Sequence, residues 1–452
     1  MSKPIVFIGA SGAMCQLVVQ RFMKASTTPI ILADINLEAA EAVRAALPSG
    51  QATTLKLDLF DYGALVRTIT GAALVVLGAG PYTRTSDPVM RACLEVKVPY
   101  LDFDDDVEST VAALDMNERA KKEGVAFFIG CGASPGMSNV MGVDVARQLD
   151  TVSSLEFFWL VGNEKKGGAG RAVMEHLMHI ASGPCLTWIN GKPTMIESYE
   201  ETRFAPMLGK KSEMMLHETA HPEPVTFPRL FPNVDSIRCF GALYPEGKFG
   251  CARGLGNAVR RGLLPIHEAG DFQLKARHGE LEPEIGGRLL QDLVAAFPRL
   301  DVKDEKSSRL LGQAKGSSKA ASYALEGLIE QVHKGEYSAE EARDFIIEAA
   351  GYSEKVETAG SLLVRAVGTR NGHSAVVTKR SPTCGIDSYL IKSMATVTGT
   401  SCAAFMVLAL QAGQNLSGVF CPEDWAEPTA FYRALETVGV PKHELPETYT
   451  YG

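Results

Sequence analysis

The sequence predicts an α/β protein: an N-terminal doubly wound parallel sheet, followed by an α+β domain that carries a helical insertion. Three observations predict it. The first 135 residues alternate short apolar runs with helix-like segments. A glycine-rich turn joins the first apolar run to the first helix-like segment. Beyond about residue 150 this alternation stops, and strands and helices follow with a different spacing.

The apolar runs fall at 5–10, 30–34, 54–59, 74–77, 100–103 and 125–129. They are almost continuously apolar, as strands buried on both faces must be. Helical segments at 13–24, 37–47, 61–68, 88–96 and 107–123 separate most of them. Repeated strand–helix units imply parallel strands joined by right-handed crossovers. In the second region, 153–161, 186–190 and 237–244 read as strands and 171–181 as a helix, with a turn at Gly191-Lys192-Pro193. Residues 265–355 are rich in charge, with helices expected at 283–296, 319–333 and 339–350, the last opening on a Ser338/Glu341 capping box. The polar stretch 301–319 reads as a loop. Asn371-Gly372 between two apolar runs predicts a hairpin. A long small-residue helix is expected over 386–412, interrupted near Gly399, and a last helix at 428–438. The domain division that follows is 1–139, 140–390 with the insertion at 265–355, and 391–452.

Composition excludes some functions. The net charge is −8, and no basic run offers the concentrated positive face that nucleic acid needs. No apolar stretch is expected to reach the roughly 18 residues that cross a bilayer. The first residues lead straight into a strand with no signal peptide, so the expected location is cytoplasmic. Nine dispersed cysteines without a CxxC pair fit a reducing compartment.

The turn after the first strand is Gly9-Ala10-Ser11-Gly12-Ala13-Met14-Cys15. Gly9 permits the tight turn, and Gly12 lets the backbone approach a pyrophosphate held at the helix N-terminus. Cys15 stands where a third glycine would complete a GxGxxG. Asp34 ends the next strand, 22 residues after Gly12, where a carboxylate accepts hydrogen bonds from ribose hydroxyls and repels a 2′-phosphate. No arginine follows it, so NAD is expected ahead of NADP. Asp58 is a candidate for the adenine end of the site or for capping the next helix. These features together predict a Rossmann domain that binds a nicotinamide dinucleotide.

After the fourth strand comes Gly78-Ala79-Gly80-Pro81-Tyr82-Thr83, then Val98-Pro99-Tyr100-Leu101-Asp102, then Gly132-Ala133-Ser134-Pro135-Gly136. This series resembles the saccharopine dehydrogenase-like family, with its saccharopine reductases, carboxynorspermidine dehydrogenases and lysine 6-dehydrogenases. The similarity continues in Gly168-Ala169-Gly170-Arg171-Ala172, at 191–193, at 395–399 and at 418–423. The 265–355 region has no recognised counterpart. The resemblance implies C-terminal helices packed back on the Rossmann domain, and a middle domain that builds the substrate cleft and a homodimer interface. It implies a small amine or amino-acid substrate, with hydride exchanged between the nicotinamide and a C–N bond. A carbonyl or enoyl reductase and a non-catalytic dinucleotide sensor remain alternatives.

Gly78, Ala79 and Gly80 are expected beside the nicotinamide. Tyr82 is a candidate to bond substrate or cofactor, or to pack the turn. Asp102, Asp104, Asp105 and Asp106 crowd like charges together, which raises carboxyl pKa values, and Asp102 and Asp104 are the preferred acids. On the 171–181 helix, Arg171 is a candidate carboxylate clamp, His176 a proton exchanger, and His179 a substrate ligand one turn on. Packing or surface roles compete for both histidines. His217 and His221 have the i,i+4 spacing of a zinc helix, but Pro222 limits any helix and no metal is expected. Arg203, Arg238 and Arg253 are further carboxylate candidates, and Cys131 sits near the cleft entrance.

Overall fold

Short runs apolar on both faces become interior strands, because only a sheet covered on both sides hides them. In the computed structural model, which describes residues 3–48, 50–164, 170–209, 213–382, 384–413 and 415–451, they form β1 (Ile5–Ile8), β2 (Ile30–Asp34), β3 (Ala52–Lys56), β4 (Leu74–Leu77), β5 (Tyr100–Asp102) and β6 (Ala126–Phe128). Every residue of β1 and β4 is buried. The second domain supplies β7 (Thr151–Val161), β8 (Pro184–Ile189), β9 (Lys192–Glu197), β10 (Thr202–Ala205), β11 (Met214–Glu218), β12 (Ser236–Leu243), β13 (Ser361–Arg370) and β14 (His373–Arg380). The last two strands, β15 (Gly418–Phe420) and β16 (Glu447–Tyr451), return to the first and second sheets respectively.

The first sheet is parallel throughout, in the order β15-β6-β5-β4-β1-β2-β3. Its order reverses between β1 and β4, which leaves a crevice beyond their C-terminal ends. The second sheet is mixed, in the order β10-β11-β12-β7-β13-β14-β16, with β8 paired to β12 and β9. Both sheets feed one continuous buried apolar cluster.

Several boundaries differ from the sequence reading, each for a physical reason. The helix expected at 88–96 starts at Tyr82 and runs through Pro88 to Val96. The 107–123 helix is two, Val107–Asp115 and Asn117–Glu123, meeting at Met116. The polar 301–319 stretch contains the helix Glu305–Leu311, capped by Asp304 and anchored by the fully buried Leu310. The turn at 190–191 places Asn190 and Gly191 at positive φ, so Lys192 and Pro193 belong to β9. The Asn371-Gly372 turn is left-handed at both residues, as a tight hairpin requires.

The 386–412 helix begins only at Met394, capped by Ser393, and runs unbroken to Ala412. Gly399 is a contact, not a break. A Cβ there would stand 2.9 Å from Leu17 Cβ and 3.1 Å from the Met14 carbonyl, so glycine allows close packing on the helix Ala13–Ala25. This 19-residue helix, of mean hydropathy 1.4, corrects the expectation that no stretch is long and apolar enough to cross a membrane. Here 72% of it is buried inside the protein, against Ala13–Ala25 and Pro428–Thr437, and that explains its apolarity.

Candidate functional site

The glycines of the first turn do different work. Gly9 has φ +82°, and a Cβ on it would fall 2.7 Å from Ala79, so the chain itself demands glycine. Gly78 is equally constrained: its Cβ would meet Cys15 Sγ at 2.4 Å. Cys15, in the place of a third glycine, is buried and packs against Gly78. Gly12 and Gly80 are not constrained by packing. The nearest atom to a Cβ on Gly12 would be Cys15 Sγ at 3.4 Å, and on Gly80 the Tyr82 nitrogen at 3.8 Å. Both line one cavity, so open space, and not protein packing, accounts for them. No side chain caps the helix that starts after Gly12, and its first N–H groups remain available to an anion. These features fit the pyrophosphate of a dinucleotide.

Asp34 is buried and ties this turn together. Its Oδ2 accepts from the Ser11 N–H at 2.9 Å, and its Oδ1 from the Asn36 N–H at 2.9 Å. Asp58 is exposed and bends back onto the Phe60 N–H, while Asp61 caps the following helix.

The cavity has a volume of about 540 Å³. Gly12, Ala13, Met14, Gly78, Gly80 and Tyr82 form its first-domain wall, and Trp159, His176, His179, His221 and Arg277 belong to the facing wall. Tyr82 is 8% exposed, and its hydroxyl lies 3.4 Å from the Leu77 carbonyl. Burial, then the Asp102 charge, pushes that phenol well above its usual range. The backbone of Arg171 opens the helix Arg171–Ile180. Its side chain, like Gly168 and Ala169, lies outside the described residues.

The acidic cluster divides into two pairs. Asp102 and Asp104 are buried away from the cavity lining. Asp102 accepts from the Tyr100 hydroxyl at 2.7 Å, the Gly130 N–H at 2.8 Å and the Asp104 N–H at 3.2 Å. Burial pushes its carboxyl up to about 6. Burial also pushes Asp104 well up, with the charges of Asp102 and Asp106 adding. Asp105 and Asp106 line the cavity and hold His176 between them, Nδ1 at 2.8 Å from Asp106 and Nε2 at 3.3 Å from Asp105. Burial opposes the imidazolium, but the two carboxylates outweigh it and raise His176 to about 9. Burial works to raise Asp106, yet its bond to His176 carries it below the usual carboxylate range. The exposed pair His179–Glu108, at 3.1 Å, lies beside them.

This ion cluster has a pH signature. A histidine with a raised folded pKa contributes stability that is complete below its unfolded pKa and is lost as pH rises through the folded value. Wild type is therefore expected to exceed His176→Asn in unfolding free energy by on the order of 2–3 kcal/mol near pH 6. The gap should close as pH passes about 9. Urea unfolding of both proteins across that range measures it, and a constant gap would rule the cluster out.

His217 and His221 do not share a helix face. His217 lies in β11, stacked 4.7 Å from Phe249, and burial followed by the Arg253 charge lowers it to about 4. His221 lies beyond the strand end. Its Nδ1 is 2.9 Å from Glu223 Oε2, and both residues are buried. Glu223 Oε1 also accepts from Ser134 Oγ at 2.5 Å and Ser138 Oγ at 2.9 Å. The donor atoms of His221, Glu223 and Cys239 lie within 4.8 Å of one another, as do those of Asp106, Glu108 and His179. In each trio the imidazole is already bonded to a carboxylate.

Arg203, Arg238 and Arg253 pair with Glu156, Glu218 and Glu336, away from the cavity lining. Cys131 is buried, and burial holds its thiol well above its usual range. Two described arginines line the cavity, Arg84 and, from the helix Ile266–His278 in the insertion, Arg277. Arg277 is 5% exposed, lies 3.3 Å from Glu164 Oε1, and its Nη2 makes no hydrogen bond.

Comparison with known proteins bears on the first domain and on the fold. The family model of the saccharopine dehydrogenase NADP binding domain matches residues 5–128. Apo saccharopine dehydrogenase (L-Glu forming) from Saccharomyces cerevisiae superposes with a TM-score of 0.61 at 15% identity, covering 100% of both chains. An engineered D-amino acid dehydrogenase bound to NADP+ matches at 12% identity over 95% of this chain and 96% of its own, with a TM-score of 0.43. The resemblance read from the turns holds. The chain's first domain resembles the saccharopine dehydrogenase NADP binding domain in sequence, and the whole chain shares the fold of the yeast enzyme. The family-model match supports a nicotinamide-dinucleotide-binding first domain of the dehydrogenase kind.

Proposed function

We propose that this saccharopine dehydrogenase-like chain oxidises or forms the C–N bond of a carboxylate-bearing amine with a nicotinamide dinucleotide. One observation carries the reading. A single cavity is walled on one side by the open glycines Gly12 and Gly80 at the reversal point of the parallel sheet. On the other side are His176, His221, Trp159 and the incompletely bonded Arg277. When bound, the dinucleotide takes or supplies the hydride. The helix N-terminus after Gly12 receives its pyrophosphate, and Asp34, already fixed by Ser11 and Asn36, keeps lone pairs for ribose hydroxyls. Asp105 and Asp106 set two carboxyl groups beside His176 in the cavity, which favours a cationic amine. Arg277, ion-paired with Glu164, keeps an Nη2 without a hydrogen bond to offer a carboxylate.

The carboxylate of Asp34 favours NAD, whereas the matching family model is named for NADP. Calorimetric titration with each decides between them. Asp34→Ala is expected to weaken NAD binding and to narrow or reverse the preference, and an NADP preference in the wild type would overturn this role for Asp34. For the substrate, the holoenzyme is offered L-amino acids, secondary amines that carry a carboxylate, and polyamines, and reduced cofactor is followed. Arg277→Met should raise KM for a carboxylate-bearing amine roughly ten- to hundredfold with little change in kcat. Equal KM values in the two proteins would remove Arg277 from the site.

A further inference from the structure

We infer that His221 transfers the substrate's proton in this cavity, and that Glu223 positions it to do so. The inference rests on the proposed C–N chemistry but stands on its own geometry. Glu223 has no exposed surface. Burial works to raise its carboxyl, but the His221 charge and hydrogen bond, followed by Ser134, hold it below the usual range, so it is ionised. Its Oε1 is taken by two serine hydroxyls. Its Oε2 therefore accepts from His221 Nδ1 at 2.9 Å, and Nδ1 must carry a proton in both charge states of the ring. In the neutral ring the lone pair then sits on Nε2. Nε2 bonds to none of the described residues, and His221 lines the cavity. A buried imidazole with one nitrogen fixed by a carboxylate and the other left to the cavity is arranged for proton exchange.

His176 is not so arranged. Both of its nitrogens lie beside carboxylates, and it keeps its proton through neutral pH. The groups that face His221 are Glu223 on its own segment, Asp105 and Asp106 from the loop after β5, Ser134 from the turn before the helix Met137–Ala146, and Trp159 and Cys239 from β7 and β12.

In the oxidative direction, Nε2 takes one proton from the substrate ammonium, leaving a neutral amine and an imidazolium. The amine lone pair then forms the C=N bond as the α-hydrogen leaves carbon with both bonding electrons. These pass to the oxidised dinucleotide that the proposed activity supplies, and an iminium cation remains. In the reductive direction the imidazolium returns its proton to the new amine.

Two measurements on the full chain test this. The first needs no substrate: ¹⁵N NMR of histidine-labelled protein, with His221→Asn used to assign the His221 signals. The expected result is that the neutral form of the His221 ring, where it is populated, carries its proton on Nδ1, with Glu223→Gln admitting the Nε2–H form. A wild-type Nε2–H tautomer would overturn the inference. The second uses whichever amine of the panel is turned over. His221→Asn should lower kcat/KM by about a hundredfold or more, and should abolish the acid limb of its pH profile. Dinucleotide affinity should stay near wild type, with rates taken per folded molecule because the variant removes a partner of the buried Glu223. Added imidazole should restore part of the rate to His221→Gly. Glu223→Gln should shift that acid limb, which a merely structural role would not do. Activity within threefold of wild type in His221→Asn, with an unshifted profile, would overturn the inference. If no amine reacts, the proposed function fails, and the tautomer still decides whether His221 is set up for proton transfer.

Discussion

Gly12→Val is expected to abolish dinucleotide binding while leaving the protein folded. Gly12 has φ −60° and ψ 145°, extended backbone that valine adopts without strain. The nearest atom to its Cβ would be Cys15 Sγ at 3.4 Å, an ordinary contact. The added methyls project where a pyrophosphate must approach the uncapped helix. Affinity should fall by at least about a hundredfold, the loss of two or more charge-assisted hydrogen bonds. Stability should change by no more than about 0.5 kcal/mol. Gly9→Val provides the contrast. At φ +82°, with Ala79 2.7 Å from the new Cβ, it should fail to fold. Titration calorimetry and urea unfolding of both variants separate a cradle glycine from a turn glycine. Wild-type affinity in Gly12→Val would place the dinucleotide elsewhere.

The second large effect is on stability. Asp102→Ala should cost about 3–5 kcal/mol, because it strands the Tyr100 hydroxyl and the Gly130 and Asp104 N–H groups in the interior. Activity per folded molecule should change little, since Asp102 does not line the cavity. A stable Asp102→Ala protein that has lost turnover would instead restore Asp102 as the functional acid of the cluster.

These two residues show what the sequence could and could not tell. The turn at Gly9–Gly12, the acid at Asp34 and the strands of the first sheet were legible. Burial on both faces writes itself as continuous apolar runs, and a parallel sheet places such a turn at a known edge. The hairpin at Asn371-Gly372 and the Ser338/Glu341 cap were legible because each is a local pattern with a local cause. Local pattern does not report which member of an acidic run faces a cavity. Asp102 belongs to β5 and turns inward to Gly130, 28 residues on, while Asp105 and Asp106 meet a histidine some 70 residues away. Arg277 looks like any charge on an amphipathic helix until Ile266–His278 packs against Arg171–Ile180. The i,i+4 spacing of His217 and His221 does not point to the partner that His221 has. Its partner is Glu223, across Pro222, and their setting depends on Ser134 in a distant turn.

A structure of the chain with its dinucleotide bound tests the central claim most directly. The account predicts the pyrophosphate against the helix N-terminus at Gly12, the adenosine ribose beside Asp34, and the nicotinamide past Gly80, with C4 turned toward His221 and Arg277. A dinucleotide bound away from Gly12 and Gly80, or a nicotinamide facing out of the cavity, would contradict it.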